Sequence, residues 1–131
     1  MSACGDDDPA RVEPDHIRTQ HILIGFGSTI PDHPIDRTEE QAQALAMDLL
    51  AQVEDGADFG KLVQEYSDDA FPGIYSLSNT GITPGDGEYP RNSFVAAYGD
   101  VAFSLDPGEV GVAAYHPVRS PYGWHIIKRL D

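Results

Sequence analysis

The chain has 131 residues of which 40% are hydrophobic, enough for one domain with its own core and no need of metal or disulfide staples. Twenty-two Asp and Glu against eight Lys and Arg give a formal charge of −14, which repels nucleic acid and anionic lipid and excludes both as partners. The single cysteine, Cys4, excludes an internal disulfide. No stretch approaches the run of about 20 apolar residues that a membrane-spanning helix needs.

Residues 1–15 are rich in Asp and Pro and read as a flexible acidic tether, with the folded domain expected over 16–131. Within the tether, Ser2-Ala3-Cys4-Gly5 resembles the end of a bacterial lipoprotein signal, in which small residues precede the lipid-bearing cysteine. That resemblance makes Cys4 the expected lipid attachment residue and the chain start the expected processing site. It would be the protein's one contact with a membrane.

From Ile17 the pattern becomes strand-like, with Ile17, Thr19 and His21 on one face and Arg18, Gln20 and Ile22 on the other. Gly25 to Arg37 is a loop. Thr38 and Gln41 match a capping box, followed by Ala42, Leu45, Ala46, Leu49 and Val53 at helical spacing and by Gly56 as a stop. Asp58 is placed to cap a second helix carrying Phe59, Leu62, Val63 and Tyr66 on one side. Residues 68–92 read as a long loop containing a short strand over Ile74 to Leu77. Asn92 or Ser93 is expected to cap a third helix with Phe94, Tyr98, Val101 or Ala102, and Leu105 on its apolar side. Asp106-Pro107-Gly108 turns the chain, and strands are expected over Val110 to Tyr115 and Trp124 to Leu130. A sheet covered on one face by helices satisfies this order, which belongs to the α+β class.

Two histidines interrupt apolar strands at opposite ends of the chain: His21 in Gln-His-Ile-Leu-Ile and His125 in Gly-Trp-His-Ile-Ile-Lys. A buried imidazole costs free energy unless its nitrogens find partners, and two such rings satisfy each other if the first and last strands are neighbours. Neither a metal nor a cofactor is expected. His16 and His21 point to opposite faces of a strand, His33 and His116 sit beside prolines, and no Cys or carboxylate spacing completes a ligand set.

Several segments, taken together and in order, resemble the parvulin family of peptidyl-prolyl cis/trans isomerases. They are Gln20-His21-Ile22-Leu23-Ile24, Gly56-Ala57-Asp58-Phe59, Tyr66-Ser67-Asp68-Asp69, Ala102-Phe103-Ser104-Leu105, Pro107-Gly108-Glu109-Val110 and Tyr122-Gly123-Trp124-His125-Ile126-Ile127-Lys128. The resemblance implies a four-stranded antiparallel sheet with surrounding helices, in which the first and last strands are central and the two histidines adjacent. It places His21, His125 and Asp69 in the catalytic cleft, with Ser120 completing their hydrogen-bond network. Phe94 and Tyr98 would line the proline pocket with Phe103 beneath, and either Tyr75 or Leu77 would take the place of the pocket leucine.

The chain departs from that pattern after Asp69, where Pro72-Gly73-Ile74-Tyr75-Ser76-Leu77 replaces a glycine-rich segment and residues 78–92 run longer than usual. Tyr98 adds a hydroxyl to a pocket that favours an apolar floor. The loop Gly25 to Asp32 offers no basic cluster, which argues against recognition of phosphorylated residues. The implied activity is rotation about Xaa-Pro bonds of exported or unfolded polypeptides, by a monomer at the bacterial cell envelope. The alternative is a peptide-binding chaperone module that uses the same cleft without turnover.

Overall fold

The structure is a computed structural model and describes residues 12–131, so Cys4 and the lipid attachment expected of it lie outside the described residues. Five strands form one sheet: β1 (His16–Ile24), β2 (Ile74–Ser78), β3 (Glu88–Pro90), β4 (Val110–Ala113) and β5 (Trp124–Arg129). The helices are α1 (Glu39–Glu54), α2 (Phe59–Tyr66) and α3 (Ala96–Ala102), with a 3-10 turn over Arg91–Ser93. The α+β class and the parvulin-like arrangement hold.

Strand order is β3-β2-β1-β5-β4, so the first and last strands pair at the centre, antiparallel. The four strands β1, β2, β4 and β5 form the expected antiparallel set. β3 is the addition: it runs parallel to β2 at the edge, pairing Ser76 with Glu88 and Ser78 with Pro90. A proline without an N–H is tolerated there because no further strand needs its hydrogen bond.

Helices cover both faces of the sheet, not one as its element order had implied. α1 and α2 bury Ala42, Ala46, Leu49, Phe59, Leu62 and Val63 against Ile22, Ile24 and Ile126. On the opposite face Tyr98, Ala102, Phe103 and Leu105 pack on Ile17, Leu77, Ala113 and Ile127. β1 is therefore buried on both sides, and alternate residues Ile22 and His21 enter different layers.

The caps form as their chemistry dictates. Thr38 Oγ1 accepts from Gln41 N–H while Gln41 Oε1 accepts from Thr38 N–H, and Asp58 accepts from Lys61 N–H. The third helix starts later than expected. Ser93 does not cap it; its hydroxyl donates backwards to Pro90 O at 2.7 Å and closes the 3-10 turn, leaving Phe94 and Val95 extended before Ala96. Phe94 consequently reaches the site from a turn and only Tyr98 from the helix. Residues ahead of His16 are also tied to the fold: Asn79 N–H donates to Asp15 O at 2.8 Å, and the Asn79 carboxamide donates to Pro14 O at 3.0 Å and to Glu13 Oε1 at 3.2 Å.

Candidate active site

The register pairs His21 with Ile127 and Leu23 with His125, so the two imidazoles are diagonal neighbours on the face that α3 covers. Their rings stack with centroids 5.3 Å apart, and Nδ1 of one lies 3.1 Å from Nδ1 of the other. One proton, carried by either ring, makes that bond. Both residues are only 4% exposed. Burial is the main cause that pushes His125 down to about 3, so this ring is neutral, and its Nε2 has no partner among the described residues.

Asp69 completes the line. Its Oδ2 accepts from His21 Nε2 at 2.9 Å and from the Tyr75 hydroxyl at 2.8 Å. The His21 bond, with help from Tyr75 and the Ala70 N–H, holds this carboxyl well below the usual carboxylate range. Burial beside the same carboxylate pushes the Tyr75 phenol up to about 12.

Asp69 is aimed by the residues before it. As α2 ends, Ser67 Oγ accepts from Leu23 N–H at 3.0 Å and from Asp69 N–H at 3.2 Å, while Asp68 N–H donates to Leu23 O. Asp68 Oδ2 accepts from Gly25 N–H at 2.9 Å and from Arg37 at 3.0 Å. Two adjacent carboxylates thus take different work: Asp68 fastens the segment to the end of β1, and Asp69 meets the imidazole. Ser67, Asp68 and Arg37 were not singled out in sequence as site supports. A serine and an aspartate at a helix end are ordinary capping chemistry, and their partner strand lies some 44 residues away in sequence.

Above the imidazoles a cleft of about 400 Å³ opens between the sheet and the α3 side. His21, His125, Asp69, Tyr75, Phe94 and Tyr98 line it, and Ile30, Pro31, Val95 and Tyr122 bound its rim. Its aromatic wall is continuous: Phe94 lies 4.9 Å from Tyr98 and 5.3 Å from Tyr75 between centroids. Tyr75 rather than Leu77 faces this space; Leu77 is wholly buried in the layer beneath, with Phe103. The Tyr98 hydroxyl leaves the pocket surface apolar, because it bonds Thr19 Oγ1 at 2.7 Å inside the core.

Ser120 does not join the network. Its buried hydroxyl donates to Gly123 O at 2.7 Å, where it helps close the turn before β5, and neither imidazole is its partner. Gly123 in that turn has a φ of 139°, and a Cβ there would collide with the Ile24 carbonyl. The serine therefore serves the turn that delivers His125.

A family model for the PPIC-type PPIASE domain matches residues 9–131. Chaperone SurA of Chromohalobacter salexigens is 36% identical over 115 residues, 87% of this chain and 22% of its own length. Foldase protein PrsA of Oceanobacillus iheyensis is 36% identical over 115 residues, covering 88% of this chain and 29% of its own. This chain thus spans less than a third of either relative. Among solved structures, the solution structure of TbPIN1 superposes with a TM-score of 0.66 at 19% identity, over 89% of this chain and 98% of that one. PrsA from Bacillus subtilis gives 0.55 at 23%, over 89% of this chain and 35% of that one. At these identities the superpositions speak to fold alone, whereas the family model spans every residue described. The chain belongs to the PPIC-type peptidyl-prolyl isomerase family, the parvulins.

Proposed function

We propose that the protein catalyses cis/trans rotation about Xaa-Pro bonds, without a covalent intermediate, in exported or unfolded polypeptides. The observation that carries this reading is the Asp69–His21–His125 line lying directly beneath an aromatic slot. Rotation about a peptide bond meets a barrier of about 18–20 kcal/mol, raised by resonance between nitrogen and carbonyl. No bond is made or broken, so a site that favours the twisted imide suffices; each ~1.4 kcal/mol of preference is tenfold in rate.

Phe94 and Tyr98 hold the proline ring while the preceding residue turns. The ionised Asp69 carboxylate disfavours the planar resonance form, which loads negative charge on the carbonyl oxygen. His125, held neutral by burial, adds no charge of its own to the floor of the cleft. Phosphorylated substrates are not favoured, since among the described residues no Lys or Arg lines the cleft and Arg37, at the nearby loop, is already bound by Asp68 and Gly25 O. The names of the relatives, chaperone and foldase, support unfolded chains as substrates.

The acidic segment ahead of Glu13 acts as a tether to a lipid on Cys4 and keeps a monomeric domain at the cell envelope; Ser2-Ala3-Cys4-Gly5 supports this, while Glu13, Pro14 and Asp15 belong to the folded domain. No helix among the described residues is long and apolar enough to cross a membrane. Mass spectrometry of the native protein against Cys4→Ser tests the attachment, and an unmodified Cys4 overturns it.

A binding-only chaperone module is the second reading. Tyr75 favours it, because its hydroxyl already occupies Asp69 Oδ2 and leaves less of the carboxylate to act on a substrate. Exchange NMR on Xaa-Pro tetrapeptides separates the two. Turnover that falls at least tenfold in Asp69→Ala supports catalysis through this carboxylate. Peptide binding with no turnover leaves the module reading standing.

A further inference from the structure

Arg91 stands outside the cleft, yet several separate parts of the fold converge on it. Its Nη1 donates to Glu13 Oε1 at 2.8 Å and to Asn79 Oδ1 at 3.0 Å, and its Nη2 donates to Asp100 Oδ1 at 2.9 Å. The guanidinium lies 4.9 Å over the Phe103 ring. Its aliphatic stem lies on α3 at Gly99, where a Cβ would come within 2.8 Å of Arg91 Cγ. One side chain therefore joins the segment entering the domain, the long 78–92 segment and α3. A planar fork with several fixed donors suits this; a lysine ammonium does not.

Arg91 also begins the turn that delivers Phe94. Its carbonyl accepts from Phe94 N–H at 3.1 Å, and the turn is otherwise closed by Ser93 on Pro90. Behind Phe94, away from the proline slot, a second hollow of about 260 Å³ opens, bounded by Arg91, Asn92 and Asp100. Phe94 stands between that hollow and the rings of Tyr75, Tyr89 and Tyr98, so on the hollow's side its position is set by its own backbone. The turn that Arg91 anchors fixes that backbone.

We propose that Arg91 is a positioning residue for the proline wall of the cleft, and that through Glu13 the segment entering the domain tunes how tightly the cleft grips a proline-containing chain. The proposal rests on the cleft being the proline site, and it extends the site's determinants to residues that touch no substrate. Asp100, shared with Arg119, and Asn79, which also binds Glu13, are the other members of the anchor.

The test uses the full chain with Arg91→Met, Arg91→Lys and Glu13→Ala, and a Xaa-Pro tetrapeptide as probe. Arg91→Met is expected to raise the peptide Kd, and KM with it, about tenfold while kcat stays within about twofold. Glu13→Ala should move Kd the same way by about threefold, the range of an ion pair at a surface. Arg91→Lys should fail to restore the wild-type value. If Arg91 merely held the fold, the loss would fall on active fraction and hence on kcat, and that outcome overturns the proposal. Phe94 ring resonances give a second measurement that needs no ligand. Loss of the Phe94–Tyr98 contact in Arg91→Met, with Trp124 unmoved, supports the assignment, and an undisturbed Phe94 refutes it. Should the wild type bind no proline peptide, the reading of the cleft fails separately, while the Phe94 measurement still decides the role of Arg91.

Discussion

Lowering the pH toward 5 should destabilise this protein through one ring, His125. His125 shifts from an ordinary 6.5 in the unfolded chain to about 3 in the folded one. Between those values the unfolded state binds a proton that the native state refuses, so stability is full above 6.5 and falls as pH drops. At pH 5 the unfolded state is favoured by a factor of about 30 relative to neutral pH, or about 2 kcal/mol. That is a large share of the 5–15 kcal/mol typical of a domain. Asp69 does not confuse the window. Its folded value is depressed, so its contribution persists down to the ordinary carboxylate range near 3.8 and is lost only below it.

Urea unfolding followed by fluorescence of Trp124, the single tryptophan and only 5% exposed, measures this directly. The perturbation is His125→Phe, which keeps an aromatic ring on the Tyr98 edge contact but cannot titrate. Wild-type protein should lose about 2 kcal/mol between pH 7.5 and 5, and the variant should lose that much less; the other histidines are common to both. Parallel stability curves for the two proteins across that window would refute the account. So would a native-state protonation midpoint for His125 above 6, read by nitrogen-detected NMR.

Two further outcomes follow from the same geometry. Tyr98→Phe removes a buried hydroxyl that bonds Thr19 at 2.7 Å and should cost about 1–2 kcal/mol in urea unfolding. Proline-peptide affinity should stay within about twofold, because that hydroxyl points into the core; a large affinity loss would mean it faces the substrate. Tyr75→Phe removes a donor from Asp69, so the carboxyl should titrate at higher pH in carbon-detected NMR, with stability above pH 4 lower by about 1 kcal/mol. An unmoved Asp69 titration would show that Tyr75 is a spectator.

Local chemistry was legible where it depends on neighbours in sequence. Thr38 and Gln41 form their reciprocal cap, Asp58 caps α2, and the apolar spacing of Ala42, Ala46 and Leu49 buries one side of α1. The alternation through Ile17, Thr19 and His21 placed these three on one face of β1, and the resemblance to the parvulins implied that β1 and β5 are neighbours. The choice between Tyr75 and Leu77 was not legible. Both lie on the same face of β2; Tyr75 stands beside Asp69 at the cleft, while Leu77 is buried within the α3 layer.

Long-range pairings decided the rest. β3 has three residues and no periodicity to announce it; it exists because the 78–92 segment returns alongside Ser76 to Ser78. Ser120 could not be assigned from its position, since a hydroxyl takes whichever acceptor the fold brings within 2.7 Å, and here that is Gly123 O. Which of two adjacent aspartates faces the histidine depends on Arg37 and Gly25 claiming Asp68 first. The sequence by itself therefore determined most of the elements and the caps of α1 and α2, because short-range sterics and hydrogen bonding settle these, while the site residues came from the resemblance to the parvulins. Tertiary structure alone decided which side chain meets which, since partners dozens of residues apart become neighbours only when the sheet closes around β1 and β5.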